Sequence, residues 1–414
     1  MTQSGARSEA DHDDPTAPAT NPAAAHAAGL VIGHLFAHGE AGRTELATAS
    51  GLGRSAASAL LHRMLERGVL VEDDAAERAR GGRLSLAVAD RLLLTAGIVG
   101  DDAVATLTEL DGTEVARYEE PALVEDDERP GPAAALDALA QVVERTIAQA
   151  ARDERGIATL AVAIQGAVAG SPELAVLDDA LGLEPIDVVS ALRARSARLA
   201  DIEPELAAPP TLISTPTADA VAEAARRSAA VLLHLTGDTQ VAAGIAIGGM
   251  AYRGAHGLAG TFGHLPVVPD GVRCACGQRG CLTTVASPGP ILERAELREF
   301  EVQYGRRAAL EELATRIAAA EDRARWAWLD AALWIGRALQ VVVPTIDPDV
   351  VSVGGWWAPL AGDIEAAFRD NRPALGGGAL DAVPRIVPAA TAGFAAATAQ
   401  ARERLRASLV AAAA

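Results

Sequence analysis

Residues 263–282 read Gly-His-Leu-Pro-Val-Val-Pro-Asp-Gly-Val-Arg-Cys-Ala-Cys-Gly-Gln-Arg-Gly-Cys-Leu, and this stretch contains all three cysteines of the chain. Its metal-binding side chains are His264, Cys274, Cys276 and Cys281. Three thiolates and one imidazole complete the tetrahedral coordination of Zn²⁺ and leave no position for a catalytic water. The spacing therefore predicts a structural zinc site. The alternative is three unrelated buried thiols, since cysteine is often buried for packing reasons.

Length, charge and cysteine content limit what else the chain contains. Its 414 residues give room for about two to four domains, at roughly 100–200 residues each. A net charge of −19 argues against a protein that is basic throughout, but it permits a small DNA-reading module because the relevant field is local. An odd number of cysteines favours a reduced chain, and hence a cytoplasmic location.

The beginning of the chain gives no sign of export. The opening residues MTQSGARSEADHDD lack the apolar core of a signal peptide. No apolar run of about 18 residues is free of both glycine and charge, so we expect no membrane span. Residues 1–23 are polar and acidic and are rich in Pro, Ala and Thr, which predicts a disordered tail.

Residues 24–89 have the pattern of a winged helix-turn-helix domain. An apolar helical stripe is followed by a short helix, the turn Ser50-Gly51-Leu52-Gly53 and a third helix from Arg54 to Arg67. Two short apolar strands then flank an Arg-rich loop at residues 78–83. Two helices at a tight glycine turn, followed by a hairpin, predict that the third helix enters the major groove of double-stranded operator DNA.

The candidate DNA-binding residues lie on this third helix and on the wing. Arginine suits phosphates, guanine edges and narrow minor grooves, and serine suits phosphates. The candidates are Arg54, Ser55, Ser58, His62 and Arg63 on the helix, and Arg80 and Arg83 on the wing. Residues 24–85 hold seven Arg against seven Asp or Glu, so a protein-docking module is the alternative.

The remainder of the chain alternates apolar strands with helices, which predicts an α/β fold. Strands are expected near 92–99, 104–110, 159–164, 230–235, 241–247 and 350–353, and helices over 131–153 and 310–343. We expect a first lobe at 90–210, joined by a closing helix at 398–410, and a second lobe at 211–397 that contains the zinc motif.

The cysteine motif resembles the signature of the ROK family (repressors, open reading frames and sugar kinases). The shared features are a His, nine residues, Cys-x-Cys, four residues and a final Cys, together with the preceding run 252–260 and the run 347–355. The resemblance implies a two-lobed, actin-like sugar-kinase fold with a cleft between the lobes. With the winged helix in front, the chain resembles the repressor branch of the family. The resemblance also implies pairing through the C-terminal lobes, as a homodimer or homotetramer.

The positions that carry kinase chemistry in the family are altered here. At the first phosphate loop the family's Asp and Gly become Gly97 and Val99, and at the second loop Asp238 replaces a Gly. The position of the catalytic base is Thr215, which cannot accept a proton at neutral pH. The sequence therefore predicts no enzymatic activity. A sugar kinase with a relocated base is the alternative.

The sugar-binding positions keep hydroxyl groups but lose carboxylates. The glutamates expected before the metal histidine and after the last cysteine are Thr261 and Thr283. The candidate effector-binding residues are Ser214, Thr215, Thr217, Thr261, His264 and Thr283. These residues predict a small effector, such as a sugar or a derivative, whereas the alternatives are simple packing of these side chains or a body that serves only as an oligomerisation scaffold.

Overall fold

The computed structural model describes residues 22–72, 82–122, 132–370, 383–390 and 393–413. The chain divides into two compact units. The first comprises residues up to 89 together with 406–414, and the second comprises residues 90–405. Arg80 lies outside the described residues, as does most of the 1–23 segment for which disorder was predicted.

Among its described residues before 90, the first unit has three helices and a three-stranded antiparallel sheet. Its elements are α1 (Pro22–His38), β1 (Glu40–Gly42), α2 (Arg43–Ala49), α3 (Arg54–Glu66), β2 (Leu70–Glu72) and β3 (Arg83–Leu86). The sheet order is β1-β3-β2. Helix α3 buries Ala57, Leu60, Leu61 and Met64, which leaves its opposite face in solvent. This order of helices and strands is compatible with the winged helix-turn-helix predicted from the sequence.

The first lobe of the second unit is a five-stranded mixed sheet covered by α4. Its elements are β4 (Leu92–Val99), β5 (Asp102–Thr108), β6 (Glu114–Pro121), α4 (Pro132–Arg152), β7 (Ile157–Ile164), β8 (Ala167–Ala169), β9 (Leu174–Val176), α5 (Val188–Arg193), α6 (Ala197–Ile202) and β10 (Thr211–Ser214). The strand order is β10-β7-β4-β5-β6. Every residue of β7 is buried, as expected for a central parallel strand.

The second lobe repeats this plan with a sheet of order β13-β12-β11-β14-β15. Its elements are α7 (Thr215–Arg227), β11 (Val231–Thr236), β12 (Ala242–Ile247), β13 (Met250–Ala251), α8 (Thr283–Ala286), α9 (Pro288–Arg294), α10 (Arg298–Ala318), α11 (Asp322–Ile346), β14 (Val350–Val353), α12 (Ala361–Asp370) and β15 (Arg385–Pro388). The last helix, α13 (Gly393–Ala413), packs its alanines against α7 and against β7 and β10 of the first lobe. Two α/β lobes confirm the predicted sugar-kinase fold class.

Two helices differ from the sequence prediction. The prediction of a single helix over 310–343 is wrong. Helix α10 ends at Ala318, Ala320 adopts φ 57°, and a separate helix, α11, begins at Asp322. The closing helix begins at Gly393, earlier than expected. The sequence assigned residues 398–410 to the first lobe, but from Arg406 onward α13 clusters with the first unit. There the Arg406 side chain donates to the carbonyl of Gly29 at 3.2 Å.

Helix α11 is the core helix of the second lobe. Trp328, Ile335 and Leu339 are fully buried in the largest hydrophobic cluster of the described residues. Among the described helices it alone is long and apolar enough to cross a membrane, but 44% of its most apolar window is buried inside the protein. Burial of this kind is what a core helix requires, so the apolar composition of α11 is explained by packing.

Candidate functional site

The predicted metal-binding residues meet in the loop between β13 and α8. Their ligand atoms all lie within 4.8 Å of one another. Nδ1 of His264 is 3.7 Å from Sγ of Cys274, and Sγ of Cys276 is 3.6 Å from Sγ of Cys281. A tetrahedron with metal–sulfur bonds of about 2.3 Å has ligand-to-ligand distances of about 3.8 Å. The four donors are therefore spaced to hold one tetrahedral metal ion.

The backbone around this cluster is shaped by glycines. Gly280 has φ 70°, and a Cβ added there would lie 1.9 Å from the carbonyl oxygen of Val268. Gly277 has φ 93°, and its N–H donates to the Cys274 carbonyl at 2.9 Å. Burial, together with the two neighbouring thiols, raises the pKa of Cys281 to about 12. A thiol in this setting becomes a thiolate ligand only when a cation compensates its charge.

A small cavity of about 30 Å³ lies beside the metal cluster. Four of the predicted effector-binding residues line it, namely Ser214, Thr217, Thr261 and His264. The other two lie elsewhere: Thr215 borders a second cavity, and the half-buried Thr283 begins α8 and borders neither of these two cavities. A volume of about 30 Å³ holds one water molecule and no sugar.

A larger cavity, about 780 Å³, lies between the two lobes. The strands of the first lobe, the first turns of α7, the loops after β11 and β14, and α13 all contribute to its wall. Its polar lining residues are Thr106, Thr108, Asp111, Glu114, Arg117, Gln165, Thr215, Asp219, Thr236, Asp238, Thr398 and Arg402. Gln165 lines both cavities. Both segments that resemble phosphate loops, around Val99 and Asp238, border the larger one.

In the second of these loops, the carboxylate of Asp238 accepts the hydrogen bonds of nearby donors. Asp238 accepts hydrogen bonds from the backbone N–H of Trp356 and from the hydroxyl of Thr236, each at 3.0 Å. A Cβ added at Gly355 would lie 1.9 Å from Oδ1 of Asp238. Burial raises the pKa of Asp238, whereas these two hydrogen bonds lower it. A backbone donor that could serve an anionic ligand is thus used by a side chain of the protein.

A buried polar cluster stands behind the larger cavity. Nδ1 of His234 lies 3.0 Å from the hydroxyl of Ser352, and Nε2 lies 3.6 Å from a carboxylate oxygen of Asp219. Burial lowers the pKa of His234 to about 4, so the imidazole is neutral at pH 7. Ser352 is fully buried and cannot reach a substrate. The cluster lies next to Asp219, which lines the cavity, and His234 Nε2 makes no hydrogen bond to the carboxylate of Asp219.

The predicted DNA-binding residues of α3 lie mainly on its exposed face. Arg54, Ser55, Ser58 and His62 are exposed, and Arg63 is half-buried. His62 lies 3.2 Å from Glu66. On the hairpin, Arg83 is 2.7 Å from the carboxylate of Glu40 and also donates to its carbonyl. The exposed face of the helix is thus mainly polar, with Ala56 and Ala59 also exposed on it, whereas Arg83 is already engaged.

Sequence reasoning missed Asp178, which shapes the turn between the cavities. Its buried carboxylate accepts four backbone N–H groups, including those of Gln165 at 2.9 Å and Gly166 at 2.8 Å. Burial raises its pKa, and these hydrogen bonds oppose that shift. The chain has 55 acidic residues, and no local pattern marks Asp178 among them. Its role becomes visible only when the fold brings the two segments together.

Comparison with known proteins identifies the family. The sequence model of the ROK family matches residues 98–358, so the chain belongs to the ROK family. The xylose repressor of Bacillus subtilis is 22% identical over 285 residues, which cover 66% of this chain and 69% of the repressor. The N-acetylmannosamine kinase of Vibrio cholerae is 44% identical over 65 residues, which span only 23% of that kinase.

Solved structures show the same fold. A ROK family transcriptional regulator, described as a homolog of the E. coli MLC protein, superposes with a TM-score of 0.66 at 18% identity and covers 94% of this chain. That match includes 98% of the regulator. A ROK glucokinase from Streptomyces griseus, solved with glucose and AMPPNP, gives a TM-score of 0.58 at 20% identity and covers 75% of this chain and 99% of the kinase. Regulators and kinases thus share this architecture.

Proposed function

We propose that this protein is a DNA-binding transcription regulator, acting as a repressor, whose kinase-like body senses a small effector. The observation that carries the proposal is the exposed polar face of α3 on a winged helix-turn-helix unit. In this fold the helix that follows the turn enters the major groove by its N-terminal end. Here that end presents Arg54, Ser55 and Ser58. Arg54 would contact a phosphate or a guanine edge, and the serines would contact phosphates.

The body would not transfer phosphate. A sugar kinase needs a carboxylate base and backbone donors for the nucleotide phosphates. The hydroxyl of Thr215 donates to the carbonyl of Ile164 at 3.2 Å, and threonine has no proton affinity at pH 7. The Asp238 carboxylate takes the Trp356 N–H and would repel a phosphate. Two separate requirements for catalysis are therefore absent from the described residues at these positions.

The metal cluster would hold a structural Zn²⁺ through His264, Cys274, Cys276 and Cys281. The donor set is complete with four protein ligands, which suits a structural rather than a catalytic ion. A bound ion would supply the positive charge that keeps the thiolates deprotonated. The cluster would also fix the loop that carries His264 into the wall of the small cavity. We therefore assign the metal a role in stability and in positioning that wall.

The effector would enter from the side of the small cavity. Its hydroxyl-bearing residues Ser214, Thr217 and Thr261 can hydrogen-bond a neutral sugar, but the cavity of about 30 Å³ must first open. The resemblance to ROK repressors supports a cytoplasmic homodimer or homotetramer. Such an assembly would present two winged helices to a palindromic operator.

Selection of genomic DNA fragments by the purified protein tests this function. We expect enrichment of a palindromic sequence by the wild-type protein, and loss of that enrichment with Arg54→Ala. Arg307→Ala, an exposed arginine of α10 paired with Glu311, is the matched control and should enrich the same sequence. A folded, zinc-loaded sample that enriches no sequence would contradict DNA recognition.

The kinase alternative rests on the relatives with that activity and is tested separately. Purified protein is incubated with ATP and a panel of hexoses, amino sugars and acetylated amino sugars, and ADP release is followed. We expect no turnover above the background of a sample lacking protein. Sugar-dependent turnover would overturn the non-enzymatic assignment.

A further inference from the structure

The small cavity is confined by the approach of the two lobes rather than by large side chains. Seven of its seventeen lining residues are glycine or alanine. Gln240 of the second lobe donates to the carbonyl of Leu177 of the first at 3.2 Å, and both residues line the cavity. A Cβ added at Gly257 of the second lobe would lie 2.3 Å from the carbonyl oxygen of Val168 of the first. Separation of the lobes would therefore enlarge this cavity.

A carboxylate of the first lobe also holds a helix of the second. Helix α10 is interrupted at Gly305, where φ is 84° and ψ is 162°. Immediately after this break, the backbone N–H of Arg306 donates to Oδ2 of Asp101 at 2.9 Å. Asp101 lies in the turn between β4 and β5, so this hydrogen bond joins the two lobes. Its acceptor is charged, and hydrogen bonds of that kind are stronger than those between neutral groups.

The guanidinium group of Arg306 adds to the same contact. The side chain is 22% exposed, and Nε donates to Glu301 of the same helix at 2.9 Å. Burial lowers the pKa of Arg306, but this hydrogen bond and the charges of Asp101, Glu301 and Asp179 raise it above its ordinary value. Asp101 and Asp179 both belong to the first lobe. Because partly buried charges are screened less than exposed ones, their attraction for Arg306 favours contact between the lobes.

We propose that the hydrogen bond between Asp101 and the Arg306 N–H, here called the interlobe latch, holds the two lobes closed over the small cavity in the ligand-free protein. The role of the latch as a gate rests on the proposed function, because the effector would occupy that cavity. A ligand that binds only the open arrangement has its apparent affinity lowered by the fraction of molecules that are open. The strength of the latch would therefore set how much effector is needed.

The distance between the lobes, measured without DNA or effector, tests the latch. Spin labels are attached through p-acetylphenylalanine at two exposed positions, Gln141 on α4 and Ala366 on α12, so that the cysteines stay unmodified. Double electron–electron resonance then gives the distribution of distances between the labels. We expect a narrow distribution for the wild type. Asp101→Ala should give a broader one with a longer mean, because the Arg306 N–H loses its acceptor. Identical distributions would overturn the proposal.

Two further variants separate the hydrogen bond from a simple loss of charge. Asp102→Ala removes the adjacent carboxylate, to which the described residues give no hydrogen bond from α10 but only the nearby charge of Arg307. It should keep the wild-type distribution, and a distribution as broad as that of Asp101→Ala would overturn the assignment. Asp101→Asn keeps an oxygen acceptor without the charge and should give an intermediate distribution. Should Asp101→Ala not fold, as judged by circular dichroism and zinc content, Asp101→Asn against the wild type gives the same decision.

Hydrogen exchange shows whether this opening reaches the small cavity. Residues 166–168 and 257–261 contribute to its wall from the two lobes. We expect peptides that contain these segments to exchange faster in Asp101→Ala than in the wild type, because amides exchange when local structure opens. Asp102→Ala should exchange like the wild type. Unchanged exchange in Asp101→Ala would mean that the latch does not control this cavity and would overturn the proposal.

The result stays separate from the regulator proposal. Neither measurement contains DNA, so wild-type distances and exchange in Asp101→Ala would overturn the latch and leave the genomic selection unaffected. Absence of DNA enrichment by a protein whose lobes open in Asp101→Ala would instead contradict the regulator and leave the latch intact.

Discussion

The carboxylate of Asp238 accepts the backbone N–H of Trp356 at 3.0 Å, which joins the loop after β11 to the loop after β14. The indole N–H of Trp356 donates in turn to the carbonyl of Gly237, also at 3.0 Å. These two hydrogen bonds hold adjacent loops of the second lobe together at the edge of the larger cavity. The region that resembles a phosphate loop has become a structural connection within the lobe.

Removal of this carboxylate should destabilise the second lobe. Asp238→Ala leaves the Trp356 N–H and the Thr236 hydroxyl without their acceptor, and hydrogen bonds to charged groups contribute about 1.5–3 kcal/mol. We expect the free energy of unfolding in urea at pH 7 to fall by about 2 kcal/mol. Glu311→Ala on the surface of α10 should change it by less than about 0.5 kcal/mol. Equal values for the two variants would contradict a structural role for Asp238.

Glu223 gives a prediction about pH. Burial acts to raise its pKa, but hydrogen bonds from Arg226, Arg227 and the Ala390 N–H lower it to about 2, against an ordinary value of 4.5. Because the folded pKa is depressed, the stabilisation is complete above about pH 4.5 and is lost as the pH falls toward 2. Glu223→Gln should therefore lower the free energy of unfolding at pH 7 by on the order of 2–3 kcal/mol.

The measurement is urea unfolding of wild type and Glu223→Gln between pH 7 and the lowest pH at which both are folded. The difference between them should shrink as the pH falls below about 4.5. Glu312→Gln, which loses the half-exposed pair with Arg316, serves as the control and should show a small difference at all pH values. A constant deficit for Glu223→Gln would mean that its charge is not the source of the stability.

Metal removal should destabilise the loop between β13 and α8. Cys276→Ser leaves three of the four donors, so we expect less than one zinc per chain by elemental analysis and a melting temperature lower by more than about 5 °C. Gln278→Ser changes an exposed residue of the same loop and should retain both the metal and the melting temperature. Full stability of Cys276→Ser without metal would refute the structural zinc site.

The turn at Gly354 tests the packing around His234. A Cβ added at Gly354 would lie 2.6 Å from Cε1 of His234. Gly354→Ala should therefore lower the free energy of unfolding by about 1–3 kcal/mol through overpacking. Gly362, in helix α12, has no atom within 4 Å of an added Cβ, and Gly362→Ala should raise stability by up to about 1 kcal/mol. Similar effects from both substitutions would contradict the close contact.

The first unit gives a prediction about affinity for the selected operator. Arg54→Ala should weaken binding about ten-fold or more, because a bidentate contact to guanine contributes about 1–3 kcal/mol. Fluorescence anisotropy at several salt concentrations measures the affinity and the salt slope. Arg83 is paired with Glu40, so Arg83→Ala should have a smaller effect than Arg54→Ala. The reverse order would place the hairpin rather than α3 at the bases.

The metal cluster and the helix-turn-helix were predictable because each depends on a short stretch of chain. The ligand spacing of the cysteine motif and the glycine turn before Arg54 are local signals that survive any tertiary arrangement. The break between α10 and α11 was not predictable in this way, because Ala320 adopts a left-handed conformation that its residue type disfavours. Only packing of the two helices fixes that break.

The candidate effector-binding residues also show the difference between features set by a short stretch of chain and features set by tertiary packing. Ser214 and Thr215 are adjacent in sequence, yet they border different cavities because α7 begins between them. The unpartnered hydroxyls of Thr106 and Thr108 follow the alternation of an ordinary strand. Only the tertiary structure shows that both residues lie along the larger cavity while their hydroxyl oxygens are buried.

Gln165 lines both cavities, so the turn that carries it is part of both walls. The buried carboxylate of Asp178 holds the backbone N–H of Gln165 and that of Gly166. A substitution at Asp178 that shifted this turn would therefore alter the two chambers together. In this sense the chambers are mechanically coupled through one turn of the chain.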